Sequence, residues 1–210
     1  MENTTTAVFA LILVIIVVSL LGFCIENIFI GFRRGFIDNR NMVLPFLLGY
    51  GLTIFGFYLL FGTPEKPLFF GKQITFSASW RATLYYFIMA FVAVCIGEIV
   101  LGYTIEWGCN IIWWDYNSLP LHITRYTSVP TSLGFASLIT IFMKYMFYPL
   151  IKLFLKLNPK ALAFLAITLS TLLVLDMTNS TVYMFKNQSL LQLWRVDFAV
   201  TVGEVFKKTN

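Results

Sequence analysis

Ala7-Val-Phe-Ala-Leu-Ile-Leu-Val-Ile-Ile-Val-Val-Ser-Leu-Leu-Gly-Phe-Cys-Ile25 is nineteen consecutive residues without a charge. At 1.5 Å per residue, a helix of that length covers about 28 Å, close to the hydrocarbon thickness of a bilayer. No water is present there to satisfy backbone N–H and C=O groups, so a helix, which bonds its own backbone, is the expected form. The pattern can run on to Phe32, which places Glu26 and Asn27 in its last turns. Further apolar runs follow at Met42 to Gly62, Ala82 to Ile105, Thr131 to Ile151 and Ala161 to Phe185. The expected fold is therefore all-α, a polytopic transmembrane helical bundle of about five spans. One integral-membrane domain over residues 1–210 is the simplest division, with 186–210 expected as an interfacial C-terminal helix.

Composition agrees. Of 210 residues, 59% are hydrophobic and 12% charged, with mean hydropathy +0.80. A soluble domain carries about a quarter charged residues. The net charge of +5 comes mostly from cations flanking the apolar runs. That pattern reads as topology and contact with lipid headgroups, and no basic face with spaced aromatics points to nucleic acid. The first run lacks a basic leader and a small-residue cleavage site, so it reads as a retained span. Cys24, Cys95 and Cys109 are scattered and His122 is the lone histidine, so neither a metal site nor another cofactor is expected. Phe70-Gly-Lys72-Gln73 lacks the spacing of a phosphate-binding loop, so ATP hydrolysis by this chain itself is not expected.

The stretch Ile105 to Ser132 breaks the pattern. It holds Trp107, Trp113, Trp114, Glu106, Asp115, His122 and Arg125. Trp and Tyr favour the membrane–water boundary, so this segment reads as interfacial or partly re-entrant. Orientation is in conflict. Five simple crossings place the Arg33, Arg34, Arg40 loop and the Lys152, Lys156, Lys160 loop on opposite sides, whereas positive charge collects on one side. A crossing by residues 107–126 would remove the conflict, but that segment is short and polar for a span.

Charged side chains within spans cost about 2.5 kcal/mol or more at the centre, so Glu26, Glu98, Glu106, Lys144 and Asp176 each need a reason. Glu98, Gly102 and Glu106 recur every four residues on one helix face. Two carboxylates on one cavity could hold a cation or raise each other's proton affinity; the plain alternative is that Glu106 sits at headgroup level and Glu98 pairs with an arginine. Glu26 is expected to point into the bundle towards Arg40, Arg81 or Lys144. Asp176, Asn179, Ser180 and Tyr183 form a polar stripe that either joins helices or faces a ligand. Ser118, His122 and Asp115 can be written as a triad, but no nucleophile elbow supports it.

Two stretches carry a family resemblance: Glu26 with Arg34-Gly-Phe-Ile-Asp-Asn-Arg40-Asn-Met-Val-Leu-Pro-Phe-Leu-Leu-Gly-Tyr-Gly51, and Glu98-Ile-Val-Leu-Gly-Tyr103 with Trp113-Trp-Asp-Tyr-Asn117. Over about residues 20 to 145 the chain resembles the bacterial membrane proteins known as the "putative ABC-transporter type IV" family. Asn41 and Met42 depart from the Gly-Pro that follows the first-loop motif in many members. The resemblance carries over Glu26, Asn39, Arg40, Glu98, Trp114, Asp115 and Tyr116 as candidate substrate-binding residues, with no catalytic role attached. It implies an integral-membrane transport component. Charge within short, glycine-interrupted spans adds the expectation of a permease-like site for a small or lipid-like substrate, with a separate ATPase or membrane subunit as partner. Glu26, Glu98 and Arg40 are expected to line the site, with Trp114 and Asp115 at one mouth. Alternatives are a regulatory membrane subunit without transport activity, and an intramembrane enzyme using Glu26 or Glu98 as acid or base.

Overall fold

The computed structural model describes residues 2–198. Helices dominate: α1 Glu2–Arg34, α2 Leu48–Phe61, α3 Ser79–Cys109, α4 Val129–Phe154 and α5 Pro159–Asn187. Four of them, α1, α3, α4 and α5, are long and apolar enough to cross a membrane, and α2 is shorter. The protein is an all-α membrane bundle, with α1 packed on α2 and α5, and α3 packed on α4. Short strands fill the connections: β1 Phe36–Asp38, β2 Gly62–Thr63, β3 Lys66–Phe69, β4 Lys72–Gln73, β5 His122–Thr124, β6 Thr127–Ser128 and β7 Arg195–Asp197. β2, β3 and β4 form an antiparallel meander, β5 pairs with β6, and β1 pairs with β7.

The second apolar run does not become a full span. Its helix occupies only fourteen residues, about 21 Å at 1.5 Å per residue. Residues 42–47 are non-helical and descend into the bundle. Arg40 and Asn41 both take left-handed backbone, with φ of 50° and 66°. Pro45 disfavours helix at the residue before it. The Leu47 N–H donates to the Ser19 carbonyl at 2.9 Å. Ser19 lies fifteen residues before the end of α1, so α2 starts about 22 Å below that end. Gly51 lets α2 approach so closely: a Cβ there would lie 2.3 Å from the Ile15 carbonyl oxygen.

Non-helical backbone at this depth survives only if protein groups satisfy it. The intramembrane polar residues do so. Asp176 accepts from the Val43 N–H at 2.9 Å and the Leu44 N–H at 2.8 Å, one with each oxygen. Asn27 Oδ1 accepts from the Asp38 N–H at 2.9 Å. Asn41 Oδ1 accepts from the Leu191 N–H. Asp176 is thus a brace for the broken span, which explains a buried carboxylate with no cationic partner among the described residues.

Two hydrophobic cores hold the frame. Phe57, Phe61, Tyr86, Met143 and Phe147 close α2, α3 and α4 together. Ala10, Leu13, Ile16, Leu162 and Ala166 join α1 to α5. Pro149 lacks an N–H and crowds the carbonyl four residues earlier, and α4 widens just before it into a π-turn over Phe142–Met146.

The Trp-rich segment does not cross the bundle: α3 carries its first residues on to Cys109, residues 110–121 are irregular, and the β5–β6 hairpin returns to α4. The arginine and lysine loops therefore lie at opposite ends. Of the interfacial helix expected over 186–210, residues 186–187 close α5 and 188–198 run as irregular chain and strand, docked on Asn39, Asn41 and β1. Residues 199–210 lie outside the described residues.

Replacing Asp176 by Ala strips two part-buried backbone donors of a charged acceptor, each such bond contributing about 1.5–3 kcal/mol. Thermal unfolding of detergent-purified protein should drop by several degrees, and Asp176→Asn, which keeps one acceptor oxygen, should lose less.

Candidate functional site: a cavity between the helices

Because α2 begins at mid-depth, the space above it is not filled by helix. It is a cavity of about 570 Å³ between α1, α2, α3 and α4, lined in part by the Trp-rich loop. The walls are mostly apolar, with Leu21, Phe29, Val94, Phe135 and Met146 among them. The polar groups converge on Glu26, Arg40, Tyr50 and Glu98 from four different elements, with Trp114, Asp115 and Tyr116 at the mouth.

Each polar side chain is held from behind. A Cβ on Gly22 would lie 2.4 Å from the Tyr50 ring, so the ring can lie against α1 only because residue 22 is glycine. That places the Tyr50 hydroxyl one turn up, where it donates to Glu26 Oε1. Glu26 Oε2 stands 4.0 Å from Arg40 Nη1, and Arg40 Nε makes a 3.0 Å contact with Asp38 Oδ1. The Arg40 side chain is only 10% exposed, so it is a cation lodged between two carboxylates rather than a solvated surface group.

Glu98 has no cationic partner among the described residues. Its Oε2 accepts from the Thr127 hydroxyl at 2.7 Å and from the Ser132 hydroxyl at 3.2 Å. Both hydroxyls come from the entry to α4, where Ser128 caps the helix and Pro130 occupies its first turn. Of the two readings of this pair, the shared cavity does not form, since Glu106 does not line it, and among the described residues Glu98 has no arginine either. Gly102 lies beneath the Tyr126 ring, whose atoms come within 2.2 Å of a Cβ placed there, and this ring stands between the two carboxylates. Glu106 instead pairs with Arg125 at 2.9 Å and accepts from the Tyr126 hydroxyl at 3.0 Å.

At the mouth, the Trp114 indole N–H donates to the Tyr126 carbonyl at 2.9 Å and its ring meets the Tyr126 ring edge-on. The Tyr116 N–H donates to the Arg125 carbonyl at 2.7 Å, fixing the loop. Burial, and then the facing Glu98 and Glu26 carboxylates, push the Tyr116 hydroxyl far above its usual pKa, so it is a neutral donor at any ordinary pH. Asp115 turns its oxygens back to Asn117.

Six of the seven residues singled out from the sequence thus meet on one cavity. Asn39 does not. Its amide is taken up by the Met42 and Leu191 carbonyls, both at 2.8 Å, and by the Leu193 N–H at 3.0 Å. It positions the loop that carries Arg40. The written triad does not assemble: Ser118 accepts from Arg33, His122 faces the Leu119 carbonyl, and Asp115 holds Asn117. Among the described residues, no group of three or more His, Cys, Asp or Glu could hold a metal ion. Tyr50, Thr127 and Ser132 were not foreseen. Tyr50 sits in the quoted Gly49-Tyr-Gly51 motif, whereas two hydroxyls at the start of a helix carry no signal of their own.

The profile of the family described as "Putative ABC-transporter type IV" matches residues 13–181. The chain belongs to this family. Neither the curated proteins nor the solved structures compared with it include a match. All the cavity residues named above fall inside the part shared with the ABC-transporter type IV family. Chemically, the cavity offers an apolar sleeve with a hydrogen-bonding and charged patch at one end, suited to an amphipathic guest.

Removing Arg40 leaves Glu26 and Asp38 facing each other without a cation, a loss of about 3–5 kcal/mol for a buried pair. Arg40→Ala should therefore unfold well below the wild type in a thermal melt, whereas Glu26→Gln, which leaves the 3.0 Å Arg40–Asp38 contact intact, should melt within a few degrees of it.

Proposed function

We propose that this chain is a multi-pass, permease-like protein of the cell membrane that binds a small or lipid-like amphipathic substrate in the cavity between α1 and α4. The observation that carries the proposal is the cavity itself: about 570 Å³ of mostly apolar space at membrane depth, with Glu26, Arg40, Tyr50 and Glu98 gathered at one end. A molecule with an apolar body and a polar head that gives and takes hydrogen bonds matches that division. Glu98 spends one oxygen on two hydroxyls, which leaves the other to receive a donor on the guest. The family description, together with a sequence that holds no phosphate-binding loop, supports a separate ATPase as the source of energy.

Gly97 lies on the cavity wall with open space around it, so a large side chain there fills the chamber without a clash. Purified wild-type protein should bind dansyl-undecanoate saturably, with a rise in dansyl fluorescence. Gly97→Trp should weaken that binding by about tenfold or more, a loss of about 1.4 kcal/mol. Saturable binding that Gly97→Trp leaves unchanged, or no saturable binding at all, would refute the cavity as the substrate site and favour a role in assembly.

A further inference from the structure

A second, smaller groove runs along α3 and α4 and shares one lining residue, Ile141, with the cavity. Its volume is about 430 Å³, and it is lined by Trp80, Thr83, Leu84 and Phe87 on α3 and by Ser137, Thr140, Ile141 and Lys144 on α4. Trp80, Leu84 and Ile141 are exposed, so the groove opens sideways, where lipid would surround the bundle.

Lys144 is the unexplained residue. It sits in the π-turn of α4, a distortion that redirects side chains and often marks functional positions. An ammonium group has three donors. Among the described residues Lys144 Nζ has one acceptor, the Thr83 hydroxyl at 3.1 Å, and no carboxylate within ion-pair distance. The groove lining contains no Asp or Glu. The other hydroxyls cannot serve as donors to a counter-ion in its place, because Ser137 and Thr140 already give their protons to carbonyls one turn back. A second cation is close by: Arg81 stacks over the Trp80 ring at 5.4 Å in the first turn of α3. Thr83 lies one turn into that helix, so the Lys144 ammonium is held near the height at which Trp80 marks an interface.

From the described residues the Lys144 ammonium receives only the Thr83 hydroxyl and the face of the Tyr145 ring at 5.4 Å, and no anion. We propose that the groove between α3 and α4 is a binding site for an anionic membrane phospholipid, whose phosphate accepts from Lys144 while an acyl chain lies along Leu84, Phe87 and Ile141. Lys144, Leu84 and Phe87 do not line the cavity, and the test does not depend on the cavity being a substrate site. The lipid would fix α4 against α3 at the π-turn.

The test uses full-length protein in mild detergent and native mass spectrometry with dioleoyl phosphatidylglycerol, against dioleoyl phosphatidylcholine as the uncharged-net control. The wild type should hold phosphatidylglycerol in preference to phosphatidylcholine. Lys144→Met should weaken phosphatidylglycerol binding by about fivefold, the effect of one cation beside an anionic lipid, and leave phosphatidylcholine unchanged. Lys144→Arg should keep the preference. Leu84→Trp alters no charge and sits at an exposed position, so it should fill the groove and weaken binding even where Lys144→Met fails to fold. Inorganic phosphate at millimolar concentration should not compete, because it lacks the chain. Equal binding of both lipids by the wild type, an undiminished preference in Lys144→Met or in Leu84→Trp, or competition by free phosphate would each overturn the proposal.

Discussion

Backbone amides that leave a helix inside a bilayer must find an acceptor within the protein, and this requirement organises the whole molecule. Residues 42–47 carry N–H groups to about the middle of the bundle, where water cannot meet them. Asp176 on α5 and the Ser19 carbonyl on α1 take them up. Three elements far apart in sequence are thereby fixed to one another. A carboxylate that would otherwise be an expensive defect in an apolar helix becomes the brace that makes a half-length second helix tolerable.

The cavity follows from that arrangement. A full-length second span would fill the space beside α1 with its own upper turns. Starting α2 lower leaves the space open and hangs the Arg40 turn over it. Asn39 and Asn41 tie that turn to residues 191 and 193, so the segment after α5 shapes the mouth without lining it. Glu26 then meets Arg40 from one side and Tyr50 from the other. The same logic serves Glu98, which is held by the hydroxyls of the β6–α4 junction rather than by a cation. An acceptor held only by neutral donors keeps its affinity for a further partner, and the binding proposal rests on that.

Local pattern revealed the helices and only part of the site. Long apolar runs located α1, α3, α4 and α5, because length and hydropathy are properties of the segment alone. Met42 to Gly62 has the same composition, yet its first third is unwound; what decides this is an acceptor at Asp176, more than 130 residues away. Pro45 is compatible with either outcome. The spacing of Glu98, Gly102 and Glu106 correctly put them on one face, but Tyr126 lies over the glycine and divides them. Asn39 was singled out together with Arg40, and only the fold separates the residue that faces the cavity from the one that holds the loop.

The amide protection of residues 43–47 tests the broken second span most directly. In hydrogen–deuterium exchange of the detergent-solubilised protein, the N–H groups of Val43, Leu44 and Leu47 should exchange as slowly as the interior of α1, since each is bonded to a buried acceptor. Exchange of this peptide within seconds, at the rate of an open surface loop, would show that the segment lies outside the bundle and would contradict the account.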